Sequence, residues 1–330
     1  MPDDEASPLG RSAVVLARVV RGGVVESEHH GHAVAVDAAG AVVFERGEAD
    51  VEVLARSSLK PLQAVAMVTA GLDLEPRLLA LACASHNGEA KHLDGARRIL
   101  SSHGLDETAL QNTPDVPIGV AAQRTWVAAG NGPTSLAQNC SGKHAAMLAT
   151  CVRSGWDTAT YRDPEHPLQR GIRATVAELT GDPVRHVTVD GCGAPLFAIS
   201  LYGLARAFGR IAAAHDGAER QVADAIRAHP EWASGTRRDE LALHRAVPGL
   251  VAKAGAEAVY AVGLPDGRGV ALKISDGSPR ARAVAMAGVL MRLGLEHDTL
   301  TEQASAPVLG HGERVGEIRP VAETLARLMI

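Results

Sequence analysis

The sequence predicts an α+β protein in which an antiparallel sheet is flanked by helices, with a helical subdomain beside it. Two observations carry that prediction. Strand-like segments rich in valine and other β-formers stand towards both ends of the chain, and a long run of helical patterns, most of them stopped by a glycine, lies between them.

Each element follows from local chemistry. Residues 12–46 are dense in valine and broken at Arg21-Gly22-Gly23 and Asp37-Ala38-Ala39-Gly40, a meander pattern because β-branched residues suit a pleated surface and the breaks suit turns. Helices are expected over 57–70, 76–83, 92–103, 141–153 and 167–179. Gly71, Gly104, Gly155 and Gly181 follow four of them, where a left-handed residue satisfies the last carbonyls. Val187-Thr188-Val189 reads as a strand and 195–208 as a helix with proline in its first turn. Helices continue to about Gly255. Strands at 258–262 and 269–274 then flank Pro265-Asp266-Gly267-Arg268, a hairpin turn, and helices at 280–293 and 320–328 close the chain. Residues 1–11 are expected to be disordered and 12–330 to form one catalytic domain, with a sheet subdomain of about 12–56 and 186–330 and a helical subdomain of about 57–185.

Composition narrows the function. With 330 residues, 46% of them hydrophobic, the chain can bury a full core. A net charge of -5 with no basic cluster argues against nucleic acid, and no strand followed by a Gly-rich phosphate loop occurs. No stretch approaches the roughly 20 apolar residues of a membrane span, and the acidic start Met1-Pro2-Asp3-Asp4-Glu5 does not resemble a secretory signal, so a cytoplasmic location is expected. Four cysteines are too few for a disulfide framework in a chain of this size; free thiols or metal ligands are the default.

Five short segments carry chemistry. In Arg56-Ser57-Ser58-Leu59-Lys60-Pro61, Ser57 and Lys60 stand three residues apart and share a helix face. A serine hydroxyl is a weak nucleophile until a base takes its proton, and a neutral lysine amine can be that base. Lowering a lysine pKa from about 10.4 by roughly 3 units costs on the order of 4 kcal/mol, within reach of burial and a second cation. A lone Ser-x-x-Lys is equally well a helix cap. Ala84-Ser85-His86-Asn87-Gly88-Glu89 is a polar hexamer between two helical patterns, where Ser85 or Asn87 could equally cap the next helix. Asn139-Cys140-Ser141-Gly142-Lys143-His144 opens an apolar helix and puts Cys140 and Lys143 on one face. Asp190-Gly191-Cys192-Gly193-Ala194-Pro195 sets a carboxylate and a thiol in a tight turn, and Gly269-Val270-Ala271-Leu272-Lys273-Ile274 sets a lysine in an apolar strand, facing inward or out from an edge.

Together these segments resemble the asparaginase II family of the Rhizobium etli type, the class 3 L-asparaginases, over about residues 12–328. The resemblance implies hydrolysis of L-asparagine to L-aspartate and ammonia by a homodimer whose fold is similar to serine β-lactamases and penicillin-binding proteins. It implies two Ser-Lys tandems, Ser57 with Lys60 and Ser85 with Lys273, a substrate pocket holding Arg56 and Asp190, and a zinc site of Cys140, Lys143 and Cys192 completed by water. In that frame Ser57 attacks the side-chain amide to give an acyl-enzyme, Lys60 is the base, and Lys273 as a cation holds Ser85, although the two lysines could exchange roles. Arg56 would grip the α-carboxylate, Asp190 the α-ammonium, and His86 and Asn87 are candidates for amide contacts. Lysine binds zinc only as the free amine, so binding would release protons and strengthen with pH, and a cluster near the active site that leaves out the serines suggests a modulating or ordering role for the metal. Oxidation could instead pair the two thiols. Cys83 and Cys151 fit small buried hydrophobes. Two rival readings stand beside this one: a β-lactamase or peptidase, against which the missing Lys-Thr-Gly triplet counts, and a zinc- or redox-sensing regulator whose serines only cap helices.

Overall fold

A computed structural model describes residues 8–325. The chain divides into two compact units. One comprises the chain up to Ser58, Ile199–Arg210 and the chain from Ala242 on; the other comprises Leu59–Ala198 and Ile211–Leu241.

The first unit is built on an eight-stranded antiparallel sheet of β1 (Val14–Arg21), β2 (Val24–Val36), β3 (Val42–Arg46), β4 (Val251–Ala254), β5 (Val259–Gly263), β6 (Gly269–Ile274), β7 (Ala306–Gly310) and β8 (Glu313–Pro320). The order is β7-β8-β1-β2-β6-β5-β4, and the 13-residue β2 is long enough to pair with β3 as well. Gly22 and Gly23, both at positive φ, form the two-residue turn between β1 and β2, a conformation that matches the twist of the flanking strands. The expected turn at Pro265–Arg268 joins β5 to β6, with Gly267 at φ 90°. The helix Arg282–Arg292 packs against this sheet and buries Val284, Val289 and Leu290 with Leu16, Tyr260, Leu272 and Ile318.

The second unit is helical. Lys60–Thr69, Pro76–Ala82, Ala90–Ser101, Ser141–Ser154, Pro167–Thr180 and Gly217–Ala228 pack on one another, and Gly155 and Gly181 end their helices in the left-handed region, as expected. A close approach sets the position of the Ser141–Ser154 helix. A Cβ at Gly142 would lie 2.6 Å from Leu81 Cγ and 2.7 Å from Leu81 O, so only glycine lets this helix start rest on the end of Pro76–Ala82. Gly142→Ala is expected to destabilise the protein by about 1–3 kcal/mol, the usual range for overpacking, read as a lowered urea midpoint. An unchanged midpoint would show that the helices can part without loss.

Four expectations are corrected. Residues 195–208 do not form one helix: Pro195–Ser200 is a strand paired antiparallel with Val187–Val189, and the helix is Leu201–Ala213. The run Leu196-Phe197-Ala198-Ile199 is buried on both faces, and a strand's first residue tolerates proline because no ladder hydrogen bond is needed there. Helices stop before Gly255, since Val251–Ala254 is β4. Of the first eleven residues, Pro8–Arg11 form a short helix whose Leu9 carbonyl accepts from His32 Nε2 and Ser275 Oγ. Of the last expected helix, 320–328, Pro320 instead ends β8, Ala322–Leu325 are helical, and 326–328 lie outside the described residues.

Candidate active site

In the helical unit, Lys60 is the centre of a buried polar cluster. It is the first residue of its helix and is 1% exposed. Its Nζ donates to the Ala84 carbonyl, to Ser85 Oγ at 3.1 Å and to Cys140 Sγ at 3.1 Å. One amine therefore joins three of the five sequence segments. The segment at 84–89 is fastened to the one at 139–144 by His86 N donating to Asn139 O at 3.1 Å and by His86 Nε2 meeting Ser141 Oγ at 3.0 Å.

His86 and Asn87 are fixed by their own bonds. His86 Nδ1 accepts from Gly88 N, so the ring carries its proton on Nε2, and burial first, then His92 and Lys60, lower its pKa well below the ordinary value. It stacks on His92 at 5.2 Å. Asn87 Nδ2 donates to Thr236 O at 2.9 Å and to Glu89 Oε1 at 3.3 Å. A Cβ at Gly119 or Gly235 would come within 2.7 Å and 2.5 Å of Asn87, so both backbones close tightly around it.

The second half of the cluster lies on the tight turn after Val187–Val189. Lys143 Nζ donates to Cys192 Sγ at 3.2 Å, and Cys140, Cys192 and Ala194 form a small buried apolar group. Cys140 and Cys192 are free, buried neighbours. Their mutual hydrogen bond, reinforced by burial, raises the pKa of Cys140, while the same bond, with Lys143 and His144 overcoming burial, lowers that of Cys192. Burial opposes a charged Lys143, yet Cys192, Cys140 and Asp190 outweigh it and raise its pKa. Asp190 Oδ1 caps the turn by accepting from Gly191 N at 2.8 Å, and its Oδ2 stands 3.9 Å from Cys192 Sγ. All four cysteines are free and buried, and burial, then Asp157, pushes Cys151 up to about 12.

Two groups beside this cluster escaped the sequence reading. His144 Nδ1 lies 2.7 Å from Tyr161 Oη, which also accepts from Gln111 N at 3.2 Å. Burial, despite Cys192, lowers His144 to about 4, and burial raises Tyr161 to about 12, so one stays a neutral imidazole and the other a phenol. His144 was visible as the residue after Lys143. Nothing in the spacing pointed to Tyr161.

The sheet unit holds Arg56, Ser57 and Lys273. Arg56–Leu59 is a 3₁₀ turn, in which Ser58 is buried with Oγ donating to Ala55 O at 2.5 Å. Ser57, half-buried, is the more open of the two serines and makes no side-chain hydrogen bond among the described residues. Arg56 adopts φ 51°, and Glu257 and Ala258 adopt φ 56° and 52°. Arg56 Nη1 is 4.0 Å from Glu257 Oε1. Such strain in non-glycine residues is held in place only by the surrounding structure and gathers at functional sites. Lys273 is on the interior strand β6, opposite His32 of β2 and Val259 of β5, so the inward alternative holds. Its Nζ donates to Glu257 O at 2.6 Å and Ile274 O at 2.7 Å, and burial, opposed by Glu257 and Asp276, lowers its pKa.

The metal question turns on donor chemistry. Among the described residues no three histidine, cysteine, aspartate or glutamate side chains converge as a metal centre. Cys140, Cys192 and Lys143 nevertheless bring two sulfurs and a nitrogen together, with Lys143 protonated against Cys192. The set fits zinc in kind once Lys143 gives up its proton. No helix of the described residues is long and apolar enough to cross a membrane.

Solved structures similar to the chain include a β-lactamase from Mycobacterium bovis, at 14% identity and a TM-score of 0.45 over 80% of this chain and 95% of that one. They also include Mglu in its native form, at 15% identity and a TM-score of 0.40 over 86% of this chain and 69% of that one. No curated protein matches the sequence. The family model for L-asparaginase II matches residues 17–320, from β1 to the end of β8 and across every segment described above, and the chain therefore belongs to the L-asparaginase II family.

Proposed function

We propose that this L-asparaginase cleaves L-asparagine to L-aspartate and ammonia through a serine nucleophile and an acyl-enzyme. The observation that carries the reading is the buried Lys60 amine on Ser85 Oγ and Cys140 Sγ. A fully buried lysine beside a hydroxyl suits proton transfer, provided the amine is free when it acts as base. Ser57 Oγ attacks the side-chain amide carbon and gives its proton to Lys60. The C–N bond breaks as the departing ammonia takes a proton relayed through Ser85, and water then hydrolyses the ester to aspartate. Lys273 supplies positive charge to the reaction, backbone amides at the start of the Ser57 turn receive the developing oxyanion, Arg56 binds the α-carboxylate and Asp190 the α-ammonium. His86 and Asn87 hold the wall of the pocket.

Zinc on Cys140, Lys143 and Cys192, with water as fourth ligand, belongs to the same proposal, as do a homodimer and a cytoplasmic location. Bound there, zinc would supply order to the cluster beside Lys60 rather than activate the attacking group.

A second reading has a specific observation in its favour: Lys60 hydrogen-bonds Ser85, which makes Ser85 a competing nucleophile. Ser57→Ala and Ser85→Ala separate the two. The proposal expects ammonia release to fall by about 10⁴-fold or more in Ser57→Ala, with no acyl adduct seen by intact-mass spectrometry after rapid acid quench. Retained turnover in Ser57→Ala together with an adduct on Ser85 would hand the role to Ser85. If the wild-type protein released no ammonia from asparagine at any pH from 7 to 10, the whole assignment would fail.

A further inference from the structure

Among the described residues, Glu257 and Ala258, in the turn between β4 and β5, are the only consecutive non-glycine residues at positive φ. Glycine or asparagine is the usual occupant of such positions, so a Glu-Ala pair has to be held by its surroundings. The holders are main-chain contacts. Gly255 N donates to Val259 O at 2.8 Å, and Ala258 O accepts from Ile274 N at 3.2 Å, which ties the turn to the end of β6. A Cβ at Gly255 would lie 2.8 Å from Ala55 O and 3.2 Å from Ser58 N, so the turn rests directly on the backbone that carries Ser57. The Glu257 carboxylate does not account for the conformation: its side chain is 62% exposed, and Oε1 stands 4.0 Å from Arg56 Nη1, beyond a hydrogen bond. Its carbonyl has a different fate. It accepts from Lys273 Nζ at 2.6 Å, beside the bond from the same amine to Ile274 O at 2.7 Å. The 257–258 peptide is planar and lies between the two left-handed residues, so their dihedrals set where this carbonyl points. Lys273 is 7% exposed, and the two carbonyls are its hydrogen-bond partners among the described residues. An ammonium carries three hydrogens, so one direction is left for chemistry once two are tied to backbone.

We propose that Glu257 is a positioning residue: the left-handed pair at 257–258 aims its main-chain carbonyl at Lys273 and so gauges the amine against the Ser57 turn on which the hairpin rests. Lysine has a flexible four-carbon stem, and the carbonyl of the next residue alone does not fix its end. The second carbonyl, delivered from across the hairpin, does. Misplacing a reacting group by an ångström is enough to cost about 100-fold in rate, which gives the strained turn its use. The effect on rate rests on the function proposed above; the placement of the amine does not.

Two measurements on the full-length protein separate these layers. Both compare Glu257→Asn, which tolerates the left-handed region, with Glu257→Val, whose β-branched side chain resists it. Neither variant has the carboxylate, so a difference between them reads the backbone. Proton spectra of lysine-¹⁵Nζ-labelled protein at low temperature, with Lys273→Met used for assignment, are expected to show the Lys273 amine hydrogens in slow exchange with water in the wild type and in Glu257→Asn, and in fast exchange in Glu257→Val. Fast exchange in the wild type, or equally slow exchange in Glu257→Val, overturns the proposal. The second measurement is steady-state ammonia release from asparagine. In Glu257→Val kcat should fall by about 100-fold with a smaller change in KM, and Glu257→Asn should recover most of that loss. Equal losses of kcat in the two variants would assign the effect to the carboxylate and sink the positioning role. If Glu257→Val does not fold, the wild type and Glu257→Asn still decide: fast exchange in either, or a loss of about 100-fold in Glu257→Asn, counts against the proposal. If the exchange pattern holds but the wild type releases no ammonia, the proposed function falls and the placement of the amine stands.

Discussion

Lys60→Met is expected to lower asparagine hydrolysis by about 10⁴-fold while the protein still folds. Methionine fills much of the same buried volume, so the helix start at residue 60 keeps its packing. What disappears is the amine that joins the Ala84 carbonyl, Ser85 Oγ and Cys140 Sγ. Losing a base from a nucleophile-base unit removes most of the unit's contribution to rate, whichever serine attacks. Stability should fall by about 1–3 kcal/mol, since a buried carbonyl loses its donor. The decisive comparison is turnover against urea midpoint. A midpoint shift of that size with turnover kept within tenfold of wild type would remove Lys60 from the chemistry, whereas Lys60→Arg should not rescue, because guanidinium cannot act as a base at working pH.

The second large effect is loss of stability in mild acid. His86 and His92 stack in the interior, and both use Nδ1 to accept a backbone N–H, from Gly88 and Glu89 respectively. His92 Nε2 donates to Glu231 O at 3.1 Å. Burial lowers His92 to about 4, against the opposing pull of the Glu231 carbonyl and Glu89, and burial together with His92 lowers His86 as well. In the unfolded chain each titrates near ~6.5, so below that pH the unfolded state binds more protons than the folded state. Stability is therefore complete above about pH 6.5 and falls as pH drops towards about 4, by up to about 1.4 kcal/mol per pH unit for each imidazole. Glu89 acts in a lower window. Burial would raise it, but bonds from Thr236 prevail and hold it at about 2, so its contribution is present above about 4.5 and is lost as pH falls through 2. Urea midpoints at pH 7, 6, 5 and 4 should decline steeply in the wild type and less steeply in His92→Gln. Equal midpoints at pH 7 and 5 would mean that these rings are not held neutral by the fold.

Much of the fold was legible because it is written in local chemistry. Valine-dense β1 to β3, the Asp-Gly turn between β5 and β6, and helices ended by Gly155 and Gly181 each follow from one residue's own conformational preference. The segment 195–208 was misread for the opposite reason. Pro195 at a helix start and Pro195 at a strand start have the same φ, and only pairing with Val187–Val189 chose the strand. Strands β7 and β8 were also missed. Their sequences, with Pro307, Gly310 and Gly316, have weak strand character, and they are strands because β8 pairs with β1.

By itself the sequence determined which chemical groups this asparaginase possesses: the serines, lysines, thiols and carboxylate sit in short glycine-marked segments whose composition carries the family's signature. Only the tertiary structure decided which groups meet. Lys60 stands 25 residues from Ser85 and 80 from Cys140 along the chain, yet it bonds to both. Tyr161 reaches His144 from a loop with no motif of its own. Hydrogen bonds and protonation depend on distances of a few ångströms and on exclusion of water. Those are properties of packed helices, here brought close by a glycine at 142, and no spacing along a chain encodes them.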